Sequence, residues 1–237
     1  MRLILFDVDG TLIRCGPQVR PIFAGAMVEV FGTAGDLDHY DFSGKTDQQI
    51  VLELLGTAGL PREDVLAALP RMRNRYLEAL DERLDRDRME VLPGIEELLT
   101  ELAALSSRGD VALGLLTGNW RRGARIKLGR FGLDRHFPFG AFADDAVDRN
   151  DLPPIALERA SAAMGRRFAP EDALIVGDSA RDVECARVHG LQVLAVTTGW
   201  TSAERLRRAG ADRVVESLAG LAAEIAGGRG PAAAAAG

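Results

Sequence analysis

Acidic and hydroxyl side chains recur in this sequence just after short apolar runs. Asp7 and Asp9, with Val8 between them, follow Leu3 to Phe6 and lead into Gly10-Thr11. Thr117-Gly118-Asn119 follows Val111 to Leu116, and Asp144, Asp145, Asp148 and Arg149 follow Ala141 to Ala143. Gly177-Asp178-Ser179-Ala180-Arg181-Asp182 follows Ala173 to Val176. If these runs are neighbouring strands, carboxylates distant in sequence meet at one edge, where their repulsion calls for a cation. Oxygen ligands without a His or Cys cluster suit a hard ion such as Mg²⁺. Polar turns that only cap the following helices are the alternative; that accounts for each turn singly and poorly for all four together.

The elements that must position these groups are legible from periodicity. Wholly apolar runs fit strands buried on both faces, as parallel sheets require. Further runs lie at Val193 to Val196 and Arg213 to Val215. Helical patterns separate them at Gly94 to Leu105, Arg121 to Phe131, Pro154 to Met164, Asp182 to His189 and Ser202 to Ala209. This alternation predicts an α/β fold, a doubly wound parallel (Rossmann-like) sheet, whose ligands bind beyond the carboxyl ends of the strands. It fails over residues 15–89, where Ile50, Val51, Leu54 and Leu55, then Val65, Leu69, Met72, Tyr76 and Leu80, follow helical spacing. The expected organisation is a core of residues 1–14 and 90–226, an all-helical insert at 15–89 and a low-complexity tail at 227–237.

Composition narrows the function classes. The chain has 237 residues, 47% hydrophobic and 27% charged, enough for a sizeable core without staples. A net charge of −6 gives nucleic-acid binding no global help. Cys15 and Cys185 lack metal-ligand spacing and are expected as reduced thiols. No apolar run approaches the ~20 residues that span a bilayer, and Asp7 comes too early for a signal peptide. A cytoplasmic protein without membrane or nucleic-acid partners is expected, as monomer or homodimer. Lys45 and Lys127 are the only lysines beside 27 arginines, so a cation in a site is far more often arginine.

Asp7-Val8-Asp9-Gly10-Thr11, Thr117, Arg149 and Gly177-Asp178…Asp182, in that order, resemble the four motifs of the haloacid dehalogenase-like hydrolase superfamily over nearly the whole chain. The resemblance implies phosphoryl transfer through Asp7 as nucleophile and Asp9 as general acid and base. Thr117, Gly118 and Asn119 would hold the phosphoryl oxygens. Mg²⁺ would be bound by Asp7, Asp178 and the Asp9 main-chain carbonyl, with Asp182 orienting or acting through water. Arg149, ahead of Pro153 and Pro154, stands where the family usually has a lysine, and no nearby lysine competes for that place. An acidic residue at position 9 together with Asp178 favours phosphate chemistry over halide displacement.

Helical inserts at this position in the family are caps that close over small substrates. Ser43-Gly44-Lys45-Thr46-Asp47 resembles the family's specificity loop, with Thr46 as an N-cap, Lys45 as a substrate contact and Asp47 expected to face solvent. Arg14 is a second candidate contact for an anionic leaving group. The group resembled most is phosphoglycolate phosphatase-like, although Ile13-Arg14-Cys15-Gly16 replaces the acidic-hydroxyl pair common there. The expected activity is Mg²⁺-dependent hydrolysis of a small phosphorylated metabolite. Phosphoglucomutase-type transfer and phosphonate hydrolysis, the latter with Lys45 as Schiff base, are the alternatives.

Overall fold

The computed structural model describes residues 1–227; the tail expected at 227–237 lies, from residue 228 on, outside the described residues. Six parallel strands form the sheet: β1 Arg2–Phe6, β4 Val111–Leu116, β5 Phe139–Ala141, β6 Ala173–Gly177, β7 Gln192–Val196 and β8 Arg213–Val215. Their order is β5-β4-β1-β6-β7-β8. The winding reverses beside β1, so the first and fourth motifs leave adjacent strands at the switch point. The expected third strand lies two residues earlier than 141–143, because Gly114, Leu115 and Leu116 pair with Phe139, Gly140 and Ala141.

Alternation along β1 divides the core. Ile4 and Phe6 join Leu113, Leu115, Leu174 and Val176 on one face. That face packs on α4 (Ile95–Ser107), α5 (Arg121–Gly129) and α9 (Ala222–Gly227). Leu3 and Leu5 turn to the other face, against α6 (Leu152–Met164), α7 (Ala180–Val188) and α8 (Ala203–Ala209). Both faces are dry, which is why the strands read as unbroken apolar runs.

Between β1 and β4 the chain leaves and re-enters through a two-stranded antiparallel ribbon, β2 (Ile13–Arg14) with β3 (Glu90–Val91). The ribbon frames a helical segment of α1 (Val19–Phe31), α2 (Asp47–Thr57) and α3 (Arg62–Arg83). Thr46 caps α2 by accepting from the Gln49 N–H at 3.1 Å. Phe23 and Tyr76 meet edge to face at 4.9 Å. Both also pack on Trp120, from the loop after β4, at 6.1 and 5.7 Å between ring centroids. Burying one core tryptophan in the insert's aromatic cluster ties the two parts together.

Candidate active site

β1 delivers Asp7 to the carboxyl edge, where its N–H donates to the Val176 carbonyl at 2.9 Å. The next turn brings the backbone against β6. Gly10 has φ +82°, and a Cβ there would stand 2.6 Å from Asp178 Oδ2, so only glycine fits the close approach. Thr11 donates to Asp178 Oδ1 at 3.3 Å.

Asp7, Asp178 and Asp182 each offer a carboxylate oxygen within 4.8 Å of the others, and all three are buried. Asp182 is already engaged: its Oδ2 accepts from the Ser179 N–H and hydroxyl at 2.9 and 2.6 Å, and its Oδ1 from Arg149. That leaves Asp7 and Asp178 as the carboxylates free to hold a metal. Burial pushes the Asp7 carboxyl up to about 6, with Arg149 pulling the other way. Asp178 is raised well above the usual range by burial, then by Asp182 and Asp7. Two crowded carboxylates that resist ionising are a donor set suited to a hard divalent cation.

Arg149, buried, reaches across the site from the turn before α6. Its Nη2 lies 3.4 Å from Asp7 Oδ1 and donates to the Leu116 carbonyl at 3.1 Å; its Nη1 donates to the Gly44 carbonyl at 3.2 Å. The acid partners keep its guanidinium charged against the cost of burial.

The second cation of the site escaped the sequence reading. Lys127, on the inner face of α5, is buried and places Nζ 2.6 Å from both Asp9 Oδ2 and Asn119 Oδ1. A lysine therefore does stand among these carboxylates, although beside Asp9 and not in the place of Arg149. Burial opposes the charge on Asp9, yet Lys127 and the Asn119 amide hold it below the ordinary carboxylate range. Asn119 Nδ2 donates to Asp9 Oδ2 at 2.9 Å and to the Thr117 hydroxyl at 2.8 Å. Asp47 also corrects its expectation, for it is buried and accepts the Trp120 N–H at 2.8 Å, capping α5 from within the insert.

Other predicted groups go elsewhere. Lys45 Nζ binds Glu53 at 2.6 Å and the Tyr40 hydroxyl at 2.7 Å, within the insert; its carbonyl, not its amine, covers Gly118. Arg14 pairs with Glu90 and donates to the Thr198 carbonyl at 2.7 Å. Asp145 pairs with Arg159, Asp144 accepts the Arg121 N–H, and Asp148 accepts from Asn150. These three cap or brace, so three strand ends, not four, supply the converging carboxyl, hydroxyl and amide groups, and the remaining one supplies Arg149. Cys15 and Cys185 are free thiols.

Comparison with known proteins agrees with this geometry. Residues 4–196 match the family model described as haloacid dehalogenase-like hydrolase. The chain belongs to the haloacid dehalogenase-like hydrolases. This hydrolase is 30% identical over 223 residues to the phosphoglycolate phosphatase of Synechococcus elongatus, covering 93% of this chain and 95% of the relative. It is also 30% identical over 227 residues to the plasmid-encoded phosphoglycolate phosphatase of Cupriavidus necator, with 93% and 91% covered. In fold it is similar to a predicted phosphatase from Clostridium acetobutylicum, at a TM-score of 0.69 and 23% identity, over 94% of this chain and 97% of that one. Among the described residues no helix is long and apolar enough to cross a membrane.

Proposed function

We propose that this hydrolase is a Mg²⁺-dependent phosphomonoesterase acting on a small anionic metabolite through a phosphoryl group carried on Asp7. The observation that carries this reading is the placement of Asp7, buried at the switch point, 3.4 Å from Arg149 and beside the otherwise uncompensated Asp178.

In the first step an Asp7 oxygen attacks phosphorus in line, and the ester P–O bond breaks as the new P–O bond forms. Asp9 gives its proton to the departing alkoxide, then takes a proton from the water that releases phosphate and restores Asp7. In the free protein Lys127 keeps Asp9 ionised. A dianionic phosphoryl group arriving beside Asp9 is the like charge that raises its proton affinity, so Asp9 takes a proton from solvent as substrate binds, and this is the proton it passes to the alkoxide. Thr117 and the amides of Gly118 and Asn119 would hold the phosphoryl oxygens. Asp7, Asp178 and the Asp9 main-chain carbonyl would hold Mg²⁺, which when bound neutralises phosphoryl charge as a Lewis acid.

The helical segment acts as a cap in this reading, with its Gly44-Lys45 backbone lying over Gly118 and Arg149, and that restricts substrates to small molecules. Phosphonate cleavage loses support, since the Lys45 amine it needs is tied to Glu53 and Tyr40. The mutase reading gains no histidine near the first motif; His39 contacts Asp36, and His189 contacts the Asn150 carbonyl.

The test is a screen of small phosphomonoesters with and without Mg²⁺, headed by 2-phosphoglycolate because the relatives carry that name. Asp7→Asn should abolish turnover and leave thermal unfolding nearly unchanged. Acid-quenched wild type should carry acyl-phosphate label that the variant lacks. Turnover retained by Asp7→Asn would remove the nucleophile assignment.

A further inference from the structure

We infer that Lys127 is a positioning residue for the reaction: through one ammonium it fixes both the side chain of Asp9 and the orientation of the Asn119 carboxamide. This rests on the reading of Asp9 as general acid.

The argument is geometric. Lys127 lies on α5 with Gly123, Ala124 and Leu128 on the buried face, so its amine comes to the site from below. Its side chain is 4% exposed, whereas that of Asp9 is 42% exposed, so the acid keeps an open face above a closed anchor. Nζ donates at 2.6 Å to Asp9 Oδ2 and to Asn119 Oδ1. An amide whose oxygen accepts from an ammonium must turn its NH₂ the other way. That NH₂ then donates to Asp9 Oδ2 and Thr117 Oγ1, as observed. Asp9 Oδ2 is thus pinned by two donors, and among the described residues its Oδ1 faces only a long contact from Cys15 Sγ at 3.6 Å. Oδ1 is therefore the oxygen left to pass a proton to the leaving group. The Thr117 hydroxyl, receiving the amide, has its own proton directed away from Asn119. One buried cation so sets two groups that touch substrate, a demand on position that proton transfer in a fixed geometry imposes.

A generic charge or packing role differs from this in what it predicts for leaving groups. Transfer to Asp7 from a nitrophenyl ester needs little proton donation, whereas transfer from a methoxyphenyl ester needs it fully. The probes are para-substituted phenyl phosphates, from nitro to methoxy, hydrolysed by wild type, Lys127→Met, Lys127→Arg and Asp9→Asn. For Lys127→Met, kcat/KM should fall about 30- to 100-fold on the methoxy ester and under about threefold on the nitro ester, part of the ~10²–10⁴ that general acids contribute. Lys127→Arg, which keeps a donor in the pocket, should recover part of the loss. Adding Lys127→Met to Asp9→Asn should cost almost nothing more, because the two act through one proton. Equal losses on all esters, or full additivity with Asp9→Asn, would overturn the inference while leaving Asp9 as the acid. A flat profile for Asp9→Asn itself would remove the acid assignment and this inference with it. Should Lys127→Met fail to fold, Lys127→Arg against Asp9→Asn reads the same coupling.

Discussion

Asp47→Asn tests how the insert is fastened to the core. The Asp47 carboxyl is buried, accepts the Trp120 N–H at 2.8 Å, and is pushed up to about 7 by burial, against the pull of Lys127. In the unfolded chain it returns to an ordinary value near 3.8. Between those values the folded protein holds a proton that the unfolded chain has released, so stability falls as pH rises and levels off above about 7. About two pH units of that window lie above pH 5, which at ~1.4 kcal/mol per unit is on the order of 3 kcal/mol. Asparagine has the same shape, keeps an oxygen for Trp120 and stays neutral throughout. The variant should therefore lose about 3 kcal/mol less stability than wild type between pH 5 and pH 8.5. For a chain of this length that is a gap of roughly 6–12 °C in Tm. Urea unfolding followed by tryptophan fluorescence suits the measurement, since Trp120 is buried and Trp200 is 89% exposed. Asp7 and Asp178 titrate in both proteins and cancel in the difference. Parallel pH curves for the two proteins, within about 0.5 kcal/mol, would refute the buried neutral carboxyl and with it this account of the latch.

Gly118→Ala places a methyl group against the Lys45 carbonyl, so it should hold the insert off the sheet edge and loosen its contacts with Trp120; KM should rise at least tenfold and Tm should fall, read by steady-state kinetics and calorimetry. Arg149→Lys keeps a charge but cannot reach Asp7, Asp182 and two carbonyls together, so kcat should fall by about 10²-fold and Tm by several degrees. If Asp7 and Asp178 hold Mg²⁺ as proposed, its binding must displace protons from Asp7, held at about 6, and from Asp178, held well above the ordinary carboxylate range. Its affinity should therefore fall at least tenfold from pH 7.5 to pH 5.5, measured by calorimetry; an affinity flat over that range would contradict the ligand assignment.

The sheet was readable because strands buried on both faces leave unbroken apolar runs, and the motif residues sit at the ends of those runs. Asp7, Asp178, Asp182 and Arg149 converge because β1 and β6 are adjacent and the turn before α6 folds back over them. Less legible was anything carried by a helix interior or by contact between insert and core. Lys127 sits at an ordinary position of an amphipathic pattern, and only its rarity among arginines marked it. Asp47 reads as a polar residue after an N-cap until α2 is docked against Trp120. Lys45 drew attention for the same rarity, yet Tyr40 and Glu53, eight or fewer residues away, bind it first. The β5 register shifted because Phe139-Gly140-Ala141 and Ala141-Phe142-Ala143 are equally apolar, and pairing with β4 decides between them.

Charge arithmetic in the buried site explains how an acidic protein can favour an anionic substrate. Asp7, Asp9, Asp178 and Asp182 would carry four negative charges if ionised, against two positive charges on Lys127 and Arg149. The pairs Asp9–Lys127 and Asp182–Arg149 are each closed by hydrogen bonds, so the uncompensated charge falls on Asp7 and Asp178. Those are the two carboxyls that burial and mutual repulsion push upward, and the pocket alone can relieve them only by protonation. A divalent cation cancels that excess and no more. On the proposed function, a phosphoryl dianion would then meet a pocket without net charge, and no longer a field of carboxylates. Monovalent ions would leave the pocket negative. The balance of carboxylates and cations in the site therefore favours a divalent ion.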